Sequence, residues 1–300
     1  MDTNTKYTIT RREFMKQNKK KSAFAENMSI LFKDKLAMVG LGIFLVILFF
    51  AIFSEIIVDY QSVISMNPAD RLLKPNAEHI FGTDEMGRDI FFRIVHGARI
   101  SLKIGVFAVV LSMVVGGIIG SVAGYMGGRL DYIVMRVMDI FMCLPSMLLA
   151  IAIVAAFSAG EKQLLIAIAI SQVPQCSRVF RASIMSVKGF EYVEAARALG
   201  ISTPKIIMKH ILVNALGPII VHATMSIGQC ITLISSLSFL GLGIAPPAPE
   251  WGTMLSGSRA YMRDFPHLVL APGMAILLST FAFNLLGDGL RDALDPRIRK

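Results

Sequence analysis

An all-α, polytopic membrane protein is the fold class this sequence predicts, and three observations predict it. Of 300 residues, 54% are hydrophobic and only 17% charged, a balance well outside that of a water-soluble domain. The apolar residues gather in six long runs with few or no charges: Leu36 to Val58, Ile104 to Tyr125, Ile140 to Gly160, Leu164 to Ser177, Ile211 to Ile244 and Leu268 to Leu286. Basic residues concentrate in alternate connections between those runs, as the cytoplasmic loops of membrane proteins do.

Most runs reach the roughly 20 residues that cross about 30 Å of hydrocarbon, and the fourth needs its flanking residues to do so. The fifth is too long for one straight span, so part of it is expected to bend, re-enter or lie within the protein. Residues 1–35 carry nine Lys and Arg, residues 178–209 six and residues 291–300 four. This places the N-terminal tail (1–35), the connection after span four and the C-terminal tail (290–300) in the cytoplasm. The net charge of +9 is then explained by topology and an anionic leaflet, and nucleic acid is unnecessary as a partner. A cleaved signal peptide is not expected, because the first apolar run is long, starts late and lacks a small-residue cleavage pattern. Cys143, Cys176 and Cys230 read as small core residues rather than a disulfide set or metal site.

Span one (36–58) leads into a long extracytoplasmic segment (59–97), and a five-helix core (98–289) follows. From the outer segment into the start of the core Asp84, Arg88, Asp89, Arg93 and Arg99 alternate in sign, offering i,i+4 pairs of Asp84 with Arg88 and Asp89 with Arg93. That pattern suits a solvated helix at the membrane face, and equally a gate or docking surface. In span two Gly116, Gly120, Gly124 and Gly128 recur every four residues, a stripe on which another helix, or a second subunit, can approach closely. The short turn from Met126 to Asp131 makes spans two and three antiparallel neighbours. Arg136 and Asp139 open the third run as an i,i+3 pair near the cytoplasmic edge, a structural pair in preference to a coupling-ion site. Pro145, Pro174, Pro218 and Pro272 each interrupt helical sequence in a different span and can kink it.

Several chemistries are excluded. There is no phosphate-cradling G-x-x-x-x-G-K-[ST] loop, no Gly-Lys dipeptide and no H-E-x-x-H, so neither nucleotide binding nor zinc hydrolysis is expected here. The histidines at 79, 96, 210, 222 and 267 share no metal-ligand spacing, and nothing supports covalent catalysis. The chain therefore reads as a non-enzyme without a cofactor of its own.

The block from Glu191 to Pro218 is the polar exception between two oily runs. A helix is predicted from after Lys188 through Leu199, ended by Gly200 in the left-handed conformation. Tyr192, Ala195, Ala196 and Leu199 make its apolar stripe, too short for a span, while Glu191 and Glu194 lie on another face with Arg197 one turn on. Thr203 and Pro204 suit an N-cap with proline at the first helical position, starting a second helix through Ile206 into span five.

The sequence EAARALG, Glu194 to Gly200, followed by HILVNALGPII from His210, resembles the EAA motif of ABC importer permeases. There the Glu-Ala-Ala-x-x-x-Gly spacing marks a helix that docks into a cytoplasmic ATPase. Glu194, Ala195, Ala196 and Gly200 match it; Val213 stands where that family usually has Pro. Further stretches (FGTDEMGRD with HGARISL, MRVMDIFMCLPSMLLA, SFLGLGIAPPAPEWGTML and FNLLGDGLRDALDPR) resemble the second permease subunit of oligopeptide, dipeptide and nickel systems, over nearly all of the chain from about Asp34. The resemblance implies a six-helix type I ABC importer permease in the bacterial inner membrane. It implies as partners a homologous permease, two cytoplasmic ATPases that carry ATP and Mg, and an extracytoplasmic solute-binding protein. Cargo would be a peptide or a related solute such as a nickel chelate or glutathione. An ion-coupled secondary carrier is the rival reading, but the runs hold few charges and show no internal repeat. A membrane-embedded hydrolase lacks a nucleophile and base.

Overall fold

The structure, a computed structural model, describes residues 28–157 and 160–294. Most of the basic N-terminal tail, and Arg297, Arg299 and Lys300, lie outside them. Every long element is helical: α1 (Lys35–Ile57), the short α2 (Tyr60–Ile64), α3 (Ile90–Met126), α4 (Gly128–Met142), α5 (Ser146–Phe157), α6 (Glu161–Val187), α7 (Glu191–Ala198), the single turn α8 (Thr203–Ile206), α9 (Leu216–Phe239), α10 (Trp251–Ser258) and α11 (His267–Leu294). Hydrocarbon cannot hydrogen-bond a bare backbone, so oily sequence of this length satisfies itself helically.

Four helices, α1, α3, α9 and α11, are each long and apolar enough to cross a membrane, and α4 with α5 makes a fifth span if the bent pair is counted as one. This departs from six simple crossings in two places. The third run is broken by an 84° bend between α4 and α5, where the chain passes through Cys143 and Pro145. A proline cannot continue the hydrogen-bond ladder of the turn before it. Cys143 is accordingly exposed, not a core residue, whereas Cys176 and Cys230 are buried. The fourth run sits in α6, 27 residues long and ample in length, but Gln172, Gln175, Arg178 and Arg181 dilute its apolar character. The fifth run does bend: a π-turn (Ile207–Ile211) and a 3-10 turn (Leu212–Asn214) precede α9, so Pro218 falls in the first turn of α9, where its missing N–H costs nothing.

The tightest packing is between α3 and α6, which run parallel because the α4–α5 excursion lies between them. The glycine stripe makes that contact. A methyl group placed on Gly120 would lie 2.1 Å from the Ser177 carbonyl oxygen, on Gly116 2.9 Å from the Val173 carbonyl oxygen, and on Gly124 2.9 Å from that of Arg181. Gly128, by contrast, meets nothing and has φ +59°, the left-handed conformation of the turn into α4. Antiparallel contacts close the bundle: Gly40 of α1 against Ala282 and Leu285 of α11, and Gly228 of α9 against Thr280 and Phe283. These registers gather the start of α1, the α3–α4 turn, the 188–214 block and the end of α11 at one end of the bundle. The segment 59–89 and the α9–α11 connection lie at the other.

At that second end the expected solvated helix is absent. Asp84 and Arg88 are buried in a folded loop. The Asp84 carboxylate accepts from the N–H groups of Met86 and Arg88, pairs with Arg88 Nε at 2.7 Å, and lies 3.4 Å from Nε of the buried Arg93. Arg93 also donates to the carbonyls of Val63 and Pro247. The expected Asp89–Arg93 pair does not form, since Asp89 caps α3 through the Phe92 N–H and pairs with His79. Glu250, wholly buried, caps α10 by accepting from Gly252 and Thr253; burial pushes its carboxyl above the ordinary range, and those two N–H donors pull against it. Trp251 then packs on Gly97, where a methyl would come within 2.6 Å of the indole, and donates to the Ile94 carbonyl.

Two outcomes follow. Gly120→Ala drives a methyl into backbone that has no room to yield, and is expected to cost about 1–3 kcal/mol, whereas Gly42→Ala, with open space around it, is neutral; thermal unfolding in detergent checks the pair. Asp84→Asn strips a buried arginine cluster of its anion and is expected to cost about 3–5 kcal/mol, against about 0–1 kcal/mol for Asp139→Asn, whose carboxylate is only half-buried, read by the same measurement.

Candidate functional site

The polar block is a short helical hairpin at the first end of the bundle. Helix α7 starts with Phe190 in extended conformation as its N-cap and has Glu191 and Glu194 in its first turn and Arg197 in its last. That order opposes the helix dipole with the right sign at both ends. Its C-terminus is a Schellman motif. Gly200 N–H donates to the Arg197 carbonyl at 3.0 Å, Ile201 N–H to the Ala196 carbonyl at 3.2 Å, and Gly200 has φ +71°, a conformation that disfavours any side chain with a Cβ. The following turn is capped one residue earlier than the sequence suggested. Ser202 is extended and its carbonyl accepts the Ile206 N–H at 3.0 Å, so Pro204 is the second helical residue, still within the group of N–H positions that need no partner.

The predicted apolar stripe divides. Val193 and Ala196 face inward and are buried against Ile184, Val187, Ile206, Ile207 and Ile211. Tyr192, Ala195 and Leu199 face outward beside Glu191 and Glu194, and Leu199 is 81% exposed. The stripe read from sequence passed over Val193, which shares a face with Ala196 at i,i+3. Ala196 therefore anchors the helix and Ala195 presents it. Phe190 is exposed beside this face and packs its ring on Tyr192 at 5.9 Å, and Met208 and Val213 of the following turns are exposed as well. The hairpin thus presents an exposed face of apolar side chains and two carboxylates on a buried aliphatic anchor, the composition of an interaction surface.

Two contacts fix the hairpin to the bundle that sequence reading did not find. The Arg197 guanidinium lies 5.5 Å from the centre of the Tyr125 ring, a cation–π geometry. Lys188 Nζ donates to the Gly124 carbonyl at 2.8 Å, a carbonyl near the end of α3 that the last turns of a helix leave in need of a donor. Neither pair is close in sequence, so no spacing rule could show them. Beside the hairpin Arg181 forks onto Asp131, Nε to Oδ1 at 2.5 Å and Nη2 to Oδ2 at 2.6 Å. Arg136 and Asp139 are 3.9 Å apart, but Asp139 accepts its hydrogen bond from Arg178 of α6; Arg136 stacks over Tyr132 instead. Among the described residues no three His, Cys, Asp or Glu side chains are grouped to hold a metal ion.

A family profile described as binding-protein-dependent transport system inner membrane component matches residues 116–300, and a profile for the N-terminal transmembrane domain of oligopeptide transport permease C matches residues 22–75. The chain belongs to this family of binding-protein-dependent permeases. It is 47% identical to the dipeptide transport system permease protein DppC of Alkalihalophilus pseudofirmus, across 93% of this chain and 91% of the relative. It is 43% identical to the di/tripeptide transport system permease protein DppC of Pseudomonas aeruginosa, across 89% of each. With the glutathione transport system permease protein GsiD of Escherichia coli it shares 42%, across 89% of this chain and 88% of the relative. Among solved structures, the inward-facing MetNI methionine ABC transporter aligns with a TM-score of 0.58 at 16% identity, over 69% of this chain and 98% of that one, which shows a shared fold. The permease is a transport subunit of an ABC importer in the inner membrane, not an enzyme, and membership in this family displaces the ion-coupled carrier and the hydrolase.

Gly200→Ala places a Cβ at φ +71° with no clash around it, so only backbone strain is at issue. The expected cost is about 1–2 kcal/mol, and less for Gly200→Asn; faster hydrogen exchange confined to amides 191–201 is the measurement.

Proposed function

We propose that this permease forms half of the path for a peptide or a related small solute, glutathione among them, and receives the power stroke through the outward face of α7. The carrying observation is the rigid, outward-facing pairing of Glu191 and Glu194 with Tyr192, Ala195 and Leu199 on a hairpin whose other face is buried. Glu191, Glu194, Ala195, Ala196, Arg197 and Gly200 are the coupling residues. Ala195 and the glutamates meet the ATPase, while Ala196, Arg197 and Gly200 hold the helix in place for it. The end of the bundle bearing α7 faces the cytoplasm, with both termini, in line with the basic residues there.

The assembly is a heterodimer with a homologous permease, two cytoplasmic ATPases that bind ATP with Mg, and an extracytoplasmic binding protein. Closure of the ATPase pair moves the two coupling hairpins together and turns the joined bundles outward; hydrolysis returns them. The family membership and the peptide and glutathione names of its relatives support this reading, as does a chain with no phosphate loop of its own. Gly116, Gly120 and Gly124 pack α3 on α6 within the subunit, and the Arg136–Asp139–Arg178 group ties α4 to α6.

Glu194→Lys reverses charge on an exposed side chain and leaves the anchor untouched. In proteoliposomes holding both permeases, the ATPases and the binding protein, it is expected to insert normally and to lose most ATP-driven uptake, with ATP hydrolysis no longer stimulated by loaded binding protein. Uptake at the unmodified rate would overturn the coupling assignment.

A further inference from the structure

A membrane span shows what it faces by which of its exposed side chains are polar. Along the apolar length of α1 the exposed residues set the standard for a lipid-facing helix: Leu36, Leu45, Val46, Phe49 and Ile52 are all apolar, and the exposed charges Lys35 and Glu55 are confined to its two ends. Helix α9 differs. His222, Met225, Gln229, Thr232 and Ser236 recur at three- and four-residue spacing along one face, with Gln229 and Thr232 exposed and the others half-buried. The opposite side, with Ile219, Cys230, Ile231 and Ile234, is buried in the bundle. Four polar side chains thus share one exposed face over about 21 Å of helix, most of the hydrocarbon thickness.

The hydroxyls alone do not decide the matter, because they can return to the helix backbone. Thr232 donates to the Gly228 carbonyl at 3.1 Å and Ser236 to that of Thr232 at 2.8 Å. Gln229 does decide it. Its primary amide is exposed and makes no side-chain hydrogen bond among the described residues, and an unpaired amide facing acyl chains is strongly disfavoured. Burial against a helix of the sister permease is the competing way to satisfy it. Such contacts use small residues for close approach and one or two polar groups as glue. Both glycines of α9 are turned instead toward α11, Gly228 to Thr280 and Phe283 and Gly217 to Leu294, and the polar face runs the depth of the span.

We propose that the His222–Ser236 face of α9, extended by Thr280 of α11 whose hydroxyl lies 3.0 Å from that of Thr232, lines the water-filled solute path. This rests on the import reading and deepens it by naming the chemistry the path accepts. Amide and hydroxyl groups donate and accept hydrogen bonds to a passing backbone amide. No Asp, Glu, Lys or Arg occurs in α9 or from His267 to Leu286 of α11. The face therefore suits short amide-bearing solutes without selecting on their charge, and leaves selection to the protein that delivers them.

The test is solvent access in the assembled complex. In a Cys143→Ser background, where the two remaining cysteines are buried, Gln229→Cys, Ser236→Cys and the lipid-facing control Phe49→Cys are treated in membrane vesicles with a sulfonated, membrane-impermeant methanethiosulfonate. Positions 229 and 236 are expected to react at least about tenfold faster than position 49, since only a hydrated thiolate attacks the reagent and displaces its sulfinate, and to be slowed by alanyl-alanine during turnover. Reaction as slow as the control at both positions overturns the proposal, whatever the uptake activity. Fast reaction in a complex that shows no ATP-driven uptake keeps the lining and overturns the import reading, so the two failures are separable. Gln229→Lys adds a fixed charge, and is expected to slow alanyl-lysine relative to alanyl-glutamate on the order of tenfold; equal slowing of both overturns the charge-neutral path.

Discussion

The close approach of α3 to α6 is the contact on which the rest of the permease depends. Two parallel helices separated in sequence by a bent excursion have no short loop to hold them together, so their side chains must. Gly116, Gly120 and Gly124 remove the Cβ atoms that would stand between the two backbones, to the point where a methyl on Gly120 would fall 2.1 Å from the Ser177 carbonyl oxygen. In a bilayer, where lipid tails are as apolar as leucine, such close van der Waals contact is what drives helices together. Once the seam is set, the Gly124 carbonyl sits beside Lys188 and Tyr125 beside Arg197, and the place of the hairpin is determined.

Polarity is divided between the two ends of this bundle in different ways. At one end charges are buried and compensated: Asp84 serves Arg88 and Arg93 in a loop that also receives carbonyls from Val63 and Pro247. A cluster of this kind contributes shape more than stability, because the cost of removing each ion from water offsets most of the attraction between them. At the other end the charges of α7 are exposed, and its buried side is purely aliphatic. The first arrangement fixes the shape of a loop, and the second leaves the carboxylates of α7 exposed.

Much of this was legible in the sequence for definite reasons. Glycine at every fourth position has one physical use in an oily helix, and the structure puts Gly116, Gly120 and Gly124 to it. Gly200 after an eight-residue amphipathic stretch announced its own left-handed cap. Errors arose where a pattern had two solutions at similar cost. The Asp84–Arg93 stretch alternates in sign, which suits a solvated helix and a folded loop equally, and only tertiary partners remote in sequence, Val63 and Pro247, select the loop. The third apolar run is long enough to cross the membrane straight, and the choice of an 84° bend turns on how α4 lies along α6 through Asp131 and Asp139. The division of the α7 stripe turned on a single valine, since a helix of two turns has too few residues for periodicity to fix its inward direction to better than one position.

The anchoring of α7 determines what kind of movement it can pass on. A surface patch on a flexible connector would absorb a push by deforming. Here Val193 and Ala196 are locked among Ile184, Val187, Ile206 and Ile211, so the ends of α6 and the approach to α9 form one packed unit with the hairpin, and α3 is joined to it by Lys188 and Arg197. Packed interiors transmit displacement because they have little free volume to give up. Displacement is then expected at irregular backbone rather than within the straight helices: first at the π-turn and 3-10 turn of 207–214, where the regular ladder is already interrupted although Ile207 and Ile211 stay buried, and second at the α4–α5 bend. Helix α9 emerges directly from the first of these, with its polar face toward the open side of the subunit. On the coupling proposed for α7, a movement received by Leu199 and Glu194 would change the angle of the span that carries Gln229, with no need for a chain of altered side-chain contacts through the core.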